Sequence, residues 1–179
     1  FVEVVQDLTG IVKAKDYTNV EVARVATNLA QIAKGDLQVN MKLGEADEFT
    51  AEARTQFARI NDSLSLMVDA IRAVTDDSAR LVTAAVEGQL TVRADASRHQ
   101  GDFRKIVEGV NQTLDAVIAP LQESSAVLAR IAQSDLTARV QGNYRGDHAR
   151  LKEDIGRMAQ DLHDSIRSFS QNTQTVASS

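Results

Sequence analysis

The sequence predicts an all-α protein: three tandem helix–connector–helix units with parallel helices, closed by a homodimer into a stacked parallel four-helix coiled coil. Three observations predict it. Apolar residues recur at alternating steps of three and four over long stretches, a mean period of about 3.5 that marks helices packed along narrow seams. The 179 residues include no Cys, no Trp, one Pro and 4% aromatics, so a 43% apolar content made mainly of Ala, Val, Leu and Ile must build seams rather than a ring-filled core. A short motif also returns three times.

The motif is the helix stop. Ala33-Lys34-Gly35-Asp36-Leu37-Gln38-Val39 resembles Val86-Glu87-Gly88-Gln89-Leu90-Thr91-Val92, and both resemble Ala132-Gln133-Ser134-Asp135-Leu136-Thr137-Ala138. Gly35 and Gly88 occupy the place just past a helix end, where a positive φ suits glycine. Ser134 holds that place in the third copy and is a weaker stop.

Each stop follows a first helix. Its seam is Val22, Val25, Leu29, Ile32 in the first copy and Leu121, Ser124, Leu128, Ile131 in the third. In the second copy Thr75, Ser78, Val82 and Ala85 stand at the same distances from the glycine. That seam is smaller and more polar. At about 0.8 kcal/mol per buried CH₂, the second copy is expected to pack less firmly.

A second helix follows each connector. Its stripe is Phe57, Ile60, Leu64, Met67, Ile71, then Val107, Val110, Leu114, Val117, Leu121, then Leu151, Ile155, Met158, Leu162, extended by Ile166 and Phe169. Asn61 and Asn111 take equivalent places in the first two copies. Asp102 and Asp147, each after a glycine, are placed to cap the second helix or favour its dipole. The connectors, residues 35–52, 88–102 and 134–147, exceed the roughly two to eight residues of a helix hairpin, so each can retrace its first helix. Leu37 and Val39, Leu90 and Val92, Leu136 and Val140 would dock them between the helices. Two parallel helices with such seams cannot enclose a core, which is why a parallel homodimer is expected.

The units run into one another. The stripe from Phe57 to Ile71 continues through Val74, Ser78, Leu81 and Ala85, so two packing phases compete there. From Phe103 to Gln133 one seam runs through Val107, Val110, Leu114, Val117, Leu121, Ser124, Leu128 and Ile131. Pro120 lies inside it, either opening a new helix or marking a weak joint in a mostly continuous one. The expected segments are an incoming linker or helix, or the end of a preceding unit, at 1–17, units at 18–72, 73–118 and 119–167, and an outgoing helix or tail at 168–179. In the first, the spacing of Phe1, Val4, Val5, Leu8 and Val12 is interrupted by Gly10 and the polar run Lys13 to Asn19.

Other chemistry finds no support. His99, His148 and His163 have no partner at a metal-ligand spacing and take structural or solvated roles. Asp47-Glu48, Asp76-Asp77 and Glu153-Asp154 are adjacent residues that point apart on a helix and read as solvated faces. No phosphate loop or paired nucleophile is visible, so neither an enzyme nor a cofactor or metal site is expected. A net charge of −5 with interspersed signs leaves no footprint for nucleic acid. No apolar run approaches the roughly 18 residues of a membrane span, so no membrane insertion is expected of this piece.

Over roughly residues 18–167 these features resemble three HAMP domains in tandem, the parallel four-helix relay of bacterial chemoreceptors and sensor kinases. The resemblance rests on the stop at Gly35 to Leu37 and its variants at Gly88 and Ser134, the pair Pro120-Leu121, the acidic residue before the second helix, and Asn61 and Asn111. The run from Val82 to Leu121 is most like the middle units of arrays in methyl-accepting chemotaxis proteins. Ser134 for glycine, Gly156 where the third asparagine would lie, and the lack of proline in the first two copies depart from it. The resemblance implies a cytoplasmic dimeric relay, itself non-enzymatic, between covalently linked input and output domains. Gly35, Leu37, Asn61, Gly88, Leu90, Asp102, Asn111, Pro120, Leu121, Leu136 and Asp147 are then the candidate relay residues. A passive coiled-coil dimerisation spacer is the alternative, and it leaves the long connectors unexplained.

Overall fold

A computed structural model describes residues 2–177, with side chains over 8–174. Phe1, Ser178 and Ser179 lie outside the described residues, as do the side chains of Val4 and Val5. Among the described residues the chain is helical and has no strand: α1 is Val2–Ile32, α2 is Ala51–Val86, α3 is Gly101–Ala132 and α4 is Asp147–Ala177, with one 3₁₀ turn at Ala96–Arg98. The chain divides into two compact units, Phe1–Val107 and Glu108–Ser179. No helix among the described residues is long and apolar enough to cross a membrane.

The interruption in apolar spacing does not interrupt α1. The helix continues through Gly10 and Lys13 to Asn19. Gly10 is buried under the Phe49 ring, which lies where a β-carbon would come within 2.7 Å of it. Its missing side chain therefore makes room for the connector rather than ending the helix.

In the first unit, residues 33–50 retrace α1 in descending order. Asn28 pairs with the backbone of Asn40, Glu21 accepts from Gly44 N–H, and Lys13 pairs with Asp47 at 2.8 Å. The chain then turns into α2, where Asn61 meets Arg24 at 3.0 Å and Ile60, Leu64 and Met67 share a groove with Leu29. Rising numbers on both helices thus meet in step, which makes α1 and α2 parallel.

In the second unit, residues 133–146 descend beside α3 and α4 starts level with their end. Glu123 and Lys152 both reach Gly142, while Arg139 reaches Gln160 further along α4. The core is Val127, Ile131, Ala138, Val140, Ile155 and Ala159, with Leu136, Tyr144 and Leu151 packed on it. α3 runs unbroken through Pro120, which is buried.

Candidate functional site: stops, anchors and an open stripe

The helix stops share one geometry. Gly35, Gly88 and Ser134 have φ of 83°, 76° and 70°. The next residue closes each helix by donating to the carbonyl five residues back: Asp36 to Gln31 at 3.0 Å, Gln89 to Ala84 at 2.8 Å, Asp135 to Arg130 at 3.0 Å. This is the Schellman closure, and the positive φ it needs is strained for any residue with a β-carbon. Ser134 adopts it all the same. Its neighbour Asp135 supports the turn by accepting from Thr137 and from Arg130, which together hold the Asp135 carboxyl below its ordinary value.

Beyond each stop, the connector is tied to the preceding helix by polar groups. In the first connector Asn28, 1% exposed, exchanges two hydrogen bonds with Asn40, and Asn61 donates to Met41 O at 2.6 Å. Glu21, 2% exposed, joins Gly44 N–H to the Arg24 guanidinium. In the second, Asp77 and His99 form a buried pair at 2.7 Å with Arg80 against the same carboxylate. In the third, Glu123 accepts from Gln141 N–H at 2.6 Å, Gly142 N–H at 3.1 Å and Tyr144 O–H at 2.5 Å. Those donors, Tyr144 first, hold the Glu123 carboxyl below its ordinary value, and the same contact raises Tyr144. A buried charge needs such partners.

The candidate residues lie at the stops, along the connectors, in the first turns of α3 and α4 and within α3. Gly35 and Gly88 make the stops, and Asn61 is a buried connector anchor. Leu37 and Leu136 are half-buried at the connector, whereas Leu90 is 41% exposed and so is not docked within its own chain. Asp102 and Asp147 lie in the first turns of α3 and α4, where they favour the helix dipole and pair with Lys105 and Arg150. Asn111 is half-buried, Pro120 is buried and Leu121 is 43% exposed.

One reading needs correction. Asp77 does not belong to a solvated pair with Asp76: it is 4% exposed, because its place on α2 faces the returning connector. His99 is structural, and its partner lies 22 residues upstream. No local spacing could have shown that contact. The burial pattern also differs from the predicted stripes. On α2 the buried residues are Phe57, Asn61, Leu64 and Val68, then Asp77, Leu81 and Ala84. Neither competing stripe is buried as a whole: Leu81 is inside, but Ile60 and Val82 stand out at 39% and 64% exposure. Leu29, Val110, Val117, Leu121, Leu128, Met158 and Leu162 are likewise 39% to 47% exposed. The connector takes one side of each helix and leaves an apolar stripe open beside it.

The chain is similar to known proteins. Residues 98–164 match the HAMP domain family. The match takes in α3, the third connector and most of α4, where the stop, the Glu123 anchor and the apolar core occur together. Over 170 residues the chain is 26% identical to methyl-accepting chemotaxis protein McpB of Pseudomonas aeruginosa. That alignment covers 95% of this chain and 22% of the relative, so the chain spans about a fifth of that protein's length. The chain is HAMP-like and chemoreceptor-like. Among the described residues no group of three His, Asp or Glu is placed to hold a metal ion.

Proposed function

We propose that this chain is a signal-relay module in the cytoplasmic part of a chemoreceptor. In this reading it works as a parallel homodimer of three helix–connector–helix units, bounded as the sequence suggests at 18–72, 73–118 and 119–167. The observation that carries the proposal is the open stripe. Within each unit large apolar side chains stand exposed beside the connector, Leu29 and Ile60 in the first and Val117, Leu121, Leu128, Met158 and Leu162 in the second, and a second copy in register would cover them. The HAMP match over 98–164 and the likeness to McpB support a relay between linked input and output domains.

Single cysteines at Val25, Leu29, Leu114 and Leu128 test the dimer. Each should form a disulfide with its own counterpart in the second copy, because a parallel in-register pair brings equal positions together. Disulfides only between early and late positions would mean antiparallel chains and would end the proposal. Relay is tested separately from assembly: Gly88→Ala should change the output of the intact receptor while the dimer persists. A passive spacer would instead accept it with unaltered output.

A further inference from the structure

We infer that the far end of the first connector, residues 44–50, clasps α1 and α2 together within one chain, so that a shift of α1 between Gly10 and Tyr17 passes directly to the start of α2. On α1, Gly10, Lys13, Tyr17, Glu21, Arg24 and Asn28 follow at steps of three and four and so share one helix face. The connector meets that face in descending order, and its last contacts also hold α2. The Gly44 carbonyl accepts from Tyr17 O–H of α1 at 3.2 Å and from Arg54 Nε of α2 at 3.3 Å. The Asp47 carboxylate divides its oxygens in the same way. Oδ2 accepts from Lys13 at 2.8 Å. Oδ1 accepts from Phe49 N–H and from the hydroxyl of Thr50, the N-cap residue of α2, both at 3.0 Å.

The ring of Phe49 completes the clasp. It lies over Gly10, where a β-carbon would stand 2.7 Å from it, and the Lys13 ammonium sits 5.3 Å from its centre. Thr50 is 5% exposed, and its N–H and that of Ala51 both donate to Asp47 O. The turn into α2 and the contact with α1 are therefore built on the same few residues. The Lys13–Asp47 pair is half-exposed and holds little by itself. The seat of the ring is more selective. Among the six positions of the face Gly10 alone lacks a β-carbon, so a slide of α1 past the connector would bring a side chain under Phe49. These contacts lie before Thr18, where the sequence suggests that the first unit begins, and they tie the segment ahead of it to α2. The use of the clasp in signalling rests on the relay reading above; the clasp itself does not.

Hydrogen exchange on the whole chain tests this with changes made on α1 and read on α2. Gly10→Leu replaces a poor helix former by a good one and fills the seat of Phe49. Amides of residues 49–54, which bond to Asp47 and Thr50, should then exchange at least about tenfold faster, with residues 133–146 unchanged. Unaltered exchange at 49–54 would overturn the inference, because Phe49 would then only cover α1. So would an even loss of protection throughout α1 and α2, which would mark a general support of the fold. With Phe49→Ala already present, Gly10→Leu should have no further effect on 49–54, and additive losses would overturn the clasp. Should Gly10→Leu unfold the chain, Lys13→Ala combined with Tyr17→Phe decides: exchange at 49–54 at least about threefold faster supports the clasp, and no change overturns it. Cysteine crosslinking reads the dimer independently, so a failed clasp and a failed relay give different results.

Discussion

The first and third connectors perform the same turn with different materials. Residues 33–50 are held by buried polar groups, Asn28, Glu21 and Asn61, each matched to a backbone atom. Residues 133–146 are held by an apolar cluster, with Glu123 as one polar anchor. Apolar docking is strong and tolerant of small shifts, since it has no direction. Polar docking contributes less net free energy but fixes one register, because a hydrogen bond misplaced by one residue leaves buried groups unmatched. The comparison teaches that a long connector needs only some way to stay on its helix, and that the choice determines whether it slides or snaps.

The largest effect that could break this contrast is at Ile155, 5% exposed in the third connector's core. Ile155→Ala should destabilise Glu108–Ser179 by about 2–5 kcal/mol, read from chemical denaturation followed by exchange in α4. A loss as small as a surface substitution would mean that the apolar cluster is not what holds the connector.

Asn28→Ala should come next, at about 1–3 kcal/mol, because it removes a 1% exposed side chain that holds both Asn40 N–H and Asn40 O. Its signature is local, with faster exchange at residues 38–42. An apolar replacement, Asn28→Leu, would recover some stability and lose the single register. If instead it preserved the exchange pattern, polar matching would not be what fixes the first connector.

The stops sharpen the comparison on a smaller scale. Ser134→Gly should stabilise the protein by about 1 kcal/mol, and Gly35→Ala should destabilise it by a similar amount, since all share the left-handed backbone. Thermal melting of both variants is sufficient, and equal signs would rule out the common geometry.

Smallest is a pH effect at Glu123. Its carboxyl is held below the ordinary 4.5, so its anchoring contribution is present above the unfolded-state value and disappears as pH falls through the lower folded value. Acid titration of the protein should therefore show an unfolding limb below pH 4.5 that is shallower in Glu123→Gln. An identical limb in both would mean that other carboxylates carry the acid response.

The sequence made the helices and their ends legible because their causes are local. A glycine past a seam, or a stripe of three-and-four spacing, needs no knowledge of the rest of the molecule. Seams were legible as apolar rows but not as to which neighbour each row meets. Leu29 and Leu128 are open, whereas Asn28 and Val127, one residue earlier, are buried on the connector. The anchors were least legible. Asp77 and His99, or Glu21 and Gly44, are 22 and 23 residues apart, and nothing in either neighbourhood announces the contact. Their pairing follows from how far each connector descends, which depends on its docking.

α2 carries a further constraint of arithmetic. At about 100° per residue, its buried face around Phe57, Asn61, Leu64 and Val68 is turned by roughly 160° from the face of Asp77, Leu81 and Ala84. The helix serves one connector on one side and the next on nearly the opposite side, so the spacing between the two sets acts as a phase. Inserting one residue near Ile71 would turn the second face by about 100° and present the wrong side to residues 87–100. Inserting seven would turn it by only about 20° and lengthen the rod by two turns. Inserting eleven would turn it by about 20° the other way, so length changes that this segment tolerates should come in sevens or elevens, and in that respect α2 is a ruler graduated in near-whole turns.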